Sequence, residues 1–151
     1  MDSSCAPLIV FAQHANLSID IVAWNAHATR FFATRIGFAE VPPTGSTTKA
    51  RFVVAPDHGT PGIRGAFVRP RDAEDLALAE AADARAGATG LALLARKCPV
   101  VWLVERTSPV DRIALRLAAI LASLVLGPIL DTTAGTLFGV KTARRKLEEA
   151  E

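Results

Sequence analysis

The sequence predicts an α+β domain, and three stretches carry that expectation. The run Leu17-Ser-Ile-Asp-Ile-Val-Ala-Trp24 alternates, Ala28, Phe31 and Phe32 fall at helical spacing, and Gly37 then introduces further strand-like runs. Period-two and period-3.6 patterns following one another in a single chain predict strands and helices sharing one core. The expected architecture is a mixed or antiparallel sheet built from a βαβββ module plus a second, βαββ-like half. The helices are expected on one face of that sheet. The 151 residues are enough for one domain with its own core. Its divisions are the module over 17–69, a helical crossover over 70–99 and a second half over 100–151.

Each element has its own signal. Leu8–Ala12 is a short apolar strand. Asn25 is placed to cap a helix running from Ala26 to about Ile36, with His27, Arg30 and Thr34 turned outward and Gly37 supplying the left-handed residue after it. Phe38–Val41 resumes as a strand and stops at Pro42-Pro43. The loop to Thr48, the strand Ala50–Ala55, the Pro56–Gly62 turn and the strand Ile63–Arg69 follow. Asp72 with Asp75 three residues on resembles a capping box for an alanine-rich helix to about Ala86. Leu91–Lys97 completes the crossover. Val100–Glu105 is continuously apolar up to its last residue, as a buried strand requires. Ser108 as cap and Pro109 at the first position open a long apolar helix. A hairpin around Ala134-Gly135 and a charged helix over 142–151 close the chain.

Composition narrows the function classes. A net charge of +2 gives no electrostatic footprint for nucleic acid. Ile113–Leu130 imitates a membrane span, but Arg116 lies inside it and Gly127-Pro128 cuts it short, so a buried helix is expected rather than a span. The N-terminus has no basic region followed by a long apolar stretch, which predicts a cytoplasmic protein. The two cysteines, Cys5 and Cys98, are read as free thiols of a reducing compartment, Cys98 inert beside its buried strand. Half the residues are apolar and the mean hydropathy is +0.29. The long helix carries a second apolar side, including Leu115, Ala118, Ala122 and Val125, which predicts a covering layer from a second subunit and hence a homodimer. Arg116 would then sit at the rim or pair with an acid across that interface.

Ala28-x-x-Phe31-Phe32-x-x-x-Ile36-Gly37-Phe38 resembles the A-x-x-F-Y-x-x-x-L-G-F helix signature of the vicinal-oxygen-chelate superfamily of glyoxalases and bleomycin-resistance proteins. The strand–helix–strand–strand–strand order matches that superfamily's repeating module over about a third of the chain. The metal-binding positions do not match. Leu17 stands where the first-strand histidine belongs, His14 is three residues early, and Val68-Arg69 replace the closing glutamate. The resemblance therefore implies a metal-free, cofactor-free binder of a small apolar or aromatic ligand, its concave sheet lined by Trp24, Phe52 and Phe67. Asp20, a carboxylate within the apolar run, joins that candidate site because it must face solvent, a partner or a pocket. Trp102, like Trp24, suits either a pocket wall or a core plug.

Two alternatives stay open. One is a non-catalytic oligomeric module whose interface is the long helix. The other is a diverged acyl-CoA-dependent transferase. Asn25, Ala28 and Phe31 resemble part of a GNAT acetyltransferase string, and Arg85-Ala-Gly-Ala-Thr-Gly90 resembles that family's phosphate-cradling loop, with Ala88 on a key glycine. His14, His27 and His58 show no metal-ligand spacing; His58, beside Asp57, is read as a turn residue. Glu105 and Asp111, at the entrance of the long helix, are read as caps or ion-pair partners.

Overall fold

The computed structural model describes residues 5–13, 19–40 and 49–149. The described residues form an α+β fold, a seven-stranded antiparallel sheet with five helices. The elements in chain order are β1 (Leu8–Ala12), α1 (Ile21–Phe32), β2 (Thr34–Glu40), β3 (Lys49–Pro56), β4 (Gly62–Pro70), α2 (Ala73–Arg85), α3 (Leu91–Arg96), β5 (Val100–Val104), α4 (Arg112–Val125), β6 (Ile129–Asp131), β7 (Thr136–Phe138) and α5 (Val140–Glu149). The strand order is β2-β3-β4-β5-β1-β6-β7. β5 thus lies between β4 and β1, with Val10 opposite Trp102 on one side and Ile129 on the other.

The apolar strands explain the layering. All five residues of β1 are buried, which needs cover on both faces. Leu8, Val10 and Ala12 join a cluster with α1, α4 and α5, whereas Ile9 and Phe11 join a second cluster with residues of α2 and α3. The placement of helices on one face therefore holds for α1, α4 and α5. α2 and α3 lie on the other face, where Val101, Leu103, Leu130 and Leu137 need cover of their own.

The largest correction concerns the segment before Gly37. Leu17 and Ser18 lie outside the described residues, but Ile21–Trp24 is helix, not strand. Asp20 is its cap: its side chain accepts from the Ala23 N–H at 3.1 Å. Trp24, Ala28 and Phe32, four residues apart, are the buried stripe. A short apolar run that satisfies both periods is decided by its cap. The helix also ends earlier, at Ala33 in the left-handed region (φ 48°), and Gly37 sits inside β2 opposite Val53. Tertiary contacts fix that end. The Thr34 hydroxyl and Arg116 both donate to the Phe32 carbonyl, at 2.8 and 3.2 Å, and the Ile36 N–H donates to the Asn25 side chain at 2.9 Å.

Within the long apolar segment, α4 starts at Arg112 under an Asp111 cap rather than at Pro109 under Ser108. Its second face is covered inside the chain. Ala118, Ala119 and Ala122 are sealed, and Ala143, Leu147 and Val140 of α5 and Ala28 and Phe32 of α1 belong to the same cluster. The chain's own flanking helices thus cover these alanines, while Leu115 is half-buried and Leu126 is exposed. Among the described residues no helix is long and apolar enough to cross a membrane. The Asp72–Asp75 capping box and the hairpin turn at Gly135 (φ 68°) form as the sequence indicates.

The C-terminal end of α4 and the turn after it are tied to the end of β1. Gln13 N–H donates to Val125 O at 3.0 Å and Phe11 N–H to Pro128 O at 2.9 Å. At Gly127 a Cβ would lie 1.7 Å from the Phe11 carbonyl oxygen, whereas at Gly37 it would meet nothing within 4 Å. Gly127→Ala is expected to cost about 3 kcal/mol or more in urea denaturation. Gly37→Ala is expected to stay within about 1 kcal/mol of wild type, since no left-handed residue is needed there.

Candidate functional site

The four residues singled out from the sequence do not form one site. Trp24 and Phe52 meet on the α1/α4 face, stacked at a ring separation of 5.9 Å, and Trp102 packs edge-on against Trp24 at 5.9 Å. All three are core plugs, buried or nearly so. Phe67 points to the opposite face with α2 and α3. Asp20 is committed to its cap. None of the four lines the three clefts described here.

The clefts are organised instead around α4 and α5. The Asp111 carboxylate is the first centre. Arg64 donates to both its oxygens, at 2.7 and 3.0 Å, while the Ala114 and Thr107 N–H groups donate at 3.0 and 2.8 Å. Burial alone would raise its pKa, but Arg64 and these amides outweigh that and pull it from 3.8 to about 2. The reading of Asp111 as cap or ion-pair partner is met in both senses. Glu105 accepts from the Gly65 N–H at 3.1 Å. The second centre is Arg106, which donates to both oxygens of Asp131 at 3.1 and 2.8 Å, to Ala6 O at 2.7 Å and to the Thr133 hydroxyl at 2.9 Å. Burial opposes the ionised Asp131 as well, and the Arg106 hydrogen bonds again prevail, lowering its pKa.

Between these centres opens a cleft of about 440 Å³, lined by Leu8, Pro109, Val110, Leu115, Ala134 and Phe138, with Arg106, Asp111, Arg112, Asp131, Thr136 and Lys146 at its polar positions. Val110 stands 83% exposed, and Lys146 Nζ lies 5.3 Å from the centre of the Phe138 ring. A concave, mostly apolar wall with a few fixed polar groups is the usual form of a small-molecule site.

A second cleft of about 550 Å³ lies at the C-terminal end of α1, with a contiguous pocket of about 250 Å³ that shares Pro56, His58 and Arg116. Arg30, Phe31, Arg144, Leu147, Asp57 and Glu148 also line the larger part, and Arg112, Ile113, Gly59 and Thr60 the smaller. Arg116 is bonded to Phe32 O and the Thr34 hydroxyl, each at 3.2 Å.

The histidines divide. His14 lies outside the described residues. His58 is in the turn before β4 and lines both parts of the arginine cleft. His27 does not face outward: its Nε2 is 2.8 Å from the Ser123 hydroxyl of α4. Burial, then the Arg144 charge, holds its pKa below the usual histidine value. Among the described residues no three His, Cys, Asp or Glu side chains converge as metal ligands. Both cysteines are free thiols. Cys98 is buried with its Sγ donating to Leu94 O at 3.3 Å, and burial pushes it up to about 11, so it stays protonated and inert.

The glycine-rich loop after α2 has its anion already. Asp83 accepts from the Thr89 N–H and hydroxyl at 2.9 and 2.6 Å, and from the Gly90 and Ala92 N–H groups, each at 3.3 Å. The backbone donors that would cradle a pyrophosphate are held by an internal carboxylate.

Comparison with family models, with curated proteins and with solved structures gives no match for this chain. The site is therefore argued from its own geometry. Sequence reasoning missed both clefts because each is assembled from four or more elements distant in the chain. The available signal was Arg116 inside the apolar run after Ile113, since a buried guanidinium demands a fixed partner.

Because the folded-state value of Asp111 is depressed, its contribution to stability is present above about pH 4 and lost as the pH falls towards 2. Asp111→Asn should cost about 3 kcal/mol at pH 7, by stranding Arg64. The gap between wild type and variant should narrow by about 2 kcal/mol between pH 5 and pH 2, read by urea denaturation at each pH. A gap independent of pH would contradict the assignment.

Proposed function

We propose that the protein is a metal-free binder of a small apolar or aromatic molecule, and that the molecule sits in the cleft between the β5–α4 loop, β1, the β6–β7 hairpin and α5. The observation that carries this reading is the lining itself. Leu8, Leu115, Pro109, Val110 and Phe138 give an apolar wall in a cleft of about 440 Å³, bounded by two arginine–carboxylate centres whose donors are already satisfied. Such ion pairs hold the walls in place, so little ordering cost falls on binding. Lys146, poised over Phe138, favours a ligand with a carboxylate or other acceptor at its outer end.

The resemblance of Ala28–Phe38 to the vicinal-oxygen-chelate signature supports the same class of activity, with the site moved from the sheet surface to this cleft. The alternatives have less behind them. The face of α4 that an oligomeric module would use is packed against α5 and α1. The loop that a transferase would use for pyrophosphate is filled by Asp83.

Ala134 is exposed on the hairpin and lines the cleft, so Ala134→Trp fills the space without disturbing the core. A fragment set of aromatic carboxylates, screened by thermal shift and followed by calorimetry, is expected to yield micromolar to millimolar binders. Ala134→Trp should weaken them at least tenfold at unchanged melting temperature in the absence of ligand. Binding unaffected by Ala134→Trp, or no binder from the set, would contradict the proposal.

A further inference from the structure

The cleft at the end of α1 is a second and chemically different site, and we infer that it takes the phosphate monoester of a small aromatic molecule. Four of the chain's arginines are neutralised by carboxylates. Arg64, Arg69, Arg96 and Arg106 are each paired with a carboxylate, Asp111, Asp75, Glu80 and Asp131 respectively. Arg30 and Arg144, which face this cleft, form no ion pair among the described residues. Arg144 donates to the Phe31 carbonyl and lies 4.9 Å over the Phe32 ring, and Arg30 lies 5.1 Å over the Phe31 ring. A carbonyl and a ring orient a guanidinium without neutralising it, so its charge remains available to an incoming anion.

The surroundings reinforce this. The end of α1 would present its last carbonyls to the cleft, and their partial negative charge would repel an anion. Arg144 and Arg116 donate to the last two of them, Phe31 O and Phe32 O, and so reverse the sign of that end. His58 and Arg116 complete the lining, beside two acids, Asp57 and Glu148. Phe31 supplies the other half of the recognition. Phe31 is 41% exposed on the cleft wall, with His27 and Arg30 against its ring, and its open part offers a stacking surface for an aromatic group whose phosphate lies on Arg30 and Arg144. A volume of about 550 Å³ accommodates a molecule of that size.

Arg30, Arg144 and Phe31, on which this recognition rests, do not line the apolar cleft, so the test does not depend on the proposal made there. Calorimetric titration of the full chain with phenyl phosphate and with inorganic phosphate, at low and at 0.3 M salt, reads both halves of the recognition. Phenyl phosphate is expected to bind in the micromolar to millimolar range, at least fivefold tighter than inorganic phosphate, and more weakly at high salt. Arg30→Glu, an exposed position with only a ring contact, should weaken it at least tenfold, and Arg144→Ala severalfold. Phe31→Ala should abolish the preference over inorganic phosphate. Arg145→Glu, on the same helix but outside the cleft, should leave binding within twofold, and Ala134→Trp should do the same. Absence of binding, equal affinity for the two phosphates, or equal losses from Arg30→Glu and Arg145→Glu would overturn the inference.

Discussion

The burial of α4 is the constraint from which the other features follow. A fourteen-residue helix with Leu117, Ile120 and Leu121 fully sealed against the sheet also buries Ala118, Ala119 and Ala122 around its circumference. One sheet face cannot cover such a helix, so α1 and α5 must flank it. Its N-terminal amides open into the interior, where unsatisfied donors are costly, and Asp111 satisfies them. A buried carboxylate in turn needs a cation, which is why Arg64 reaches across from β4. The apolar cleft is the space left beside that cap, and the arginine cleft is the space left where α1 and α5 meet the same helix farther along.

Arginine is the second organising element. Besides the four carboxylate pairs, guanidinium groups close the exposed carbonyl ends of helices: Arg71 donates to Ala95 O and Arg96 O at the end of α3, Arg116 and Arg144 to the end of α1, and Arg112 to Leu147 O near the end of α5. The helices are short, and their ends lie against other elements rather than in water. A long side chain carrying several donors satisfies such carbonyls where a local left-handed glycine does not. The end of α1 shows the substitution directly: Ala33 takes the left-handed turn, and Gly37, four residues on, is ordinary strand.

Elements whose signal is local were legible in the sequence. The Asp72–Asp75 capping box, the Gly135 hairpin, the apolar β5 and the placement of Cys98 are each decided within a few residues of chain, and each was read correctly. The segment over 19–36 is ambiguous in the sequence because Ile19 and Ile21 fit a period of two while Ile21 and Trp24 fit helical spacing, and the Asp20 cap decides between them. The candidate site was misread for a different reason. Aromatic residues at the ends of strands are equally suited to a pocket wall and to a plug, and the choice depends on what covers the sheet. Once α4 lies on it, Trp24, Phe52 and Trp102 fill the space a ligand would need. The clefts that remain are made by residues of β1, α1, α4, the β6–β7 hairpin, α5 and two loops, which no local pattern brings together.

Binding of a small apolar or aromatic molecule is proposed for the cleft between α5 and the β5–α4 loop. Methyl-resolved NMR of the uniformly folded protein, titrated with an aromatic carboxylate, tests it most directly. The account predicts saturable shifts concentrated on Leu8, Val110 and Leu115, with the Val54 and Val104 methyls of the sealed core unmoved. Shifts centred on Val54, Val104 and the core around Trp24 and Phe52, or on no contiguous surface, would contradict it.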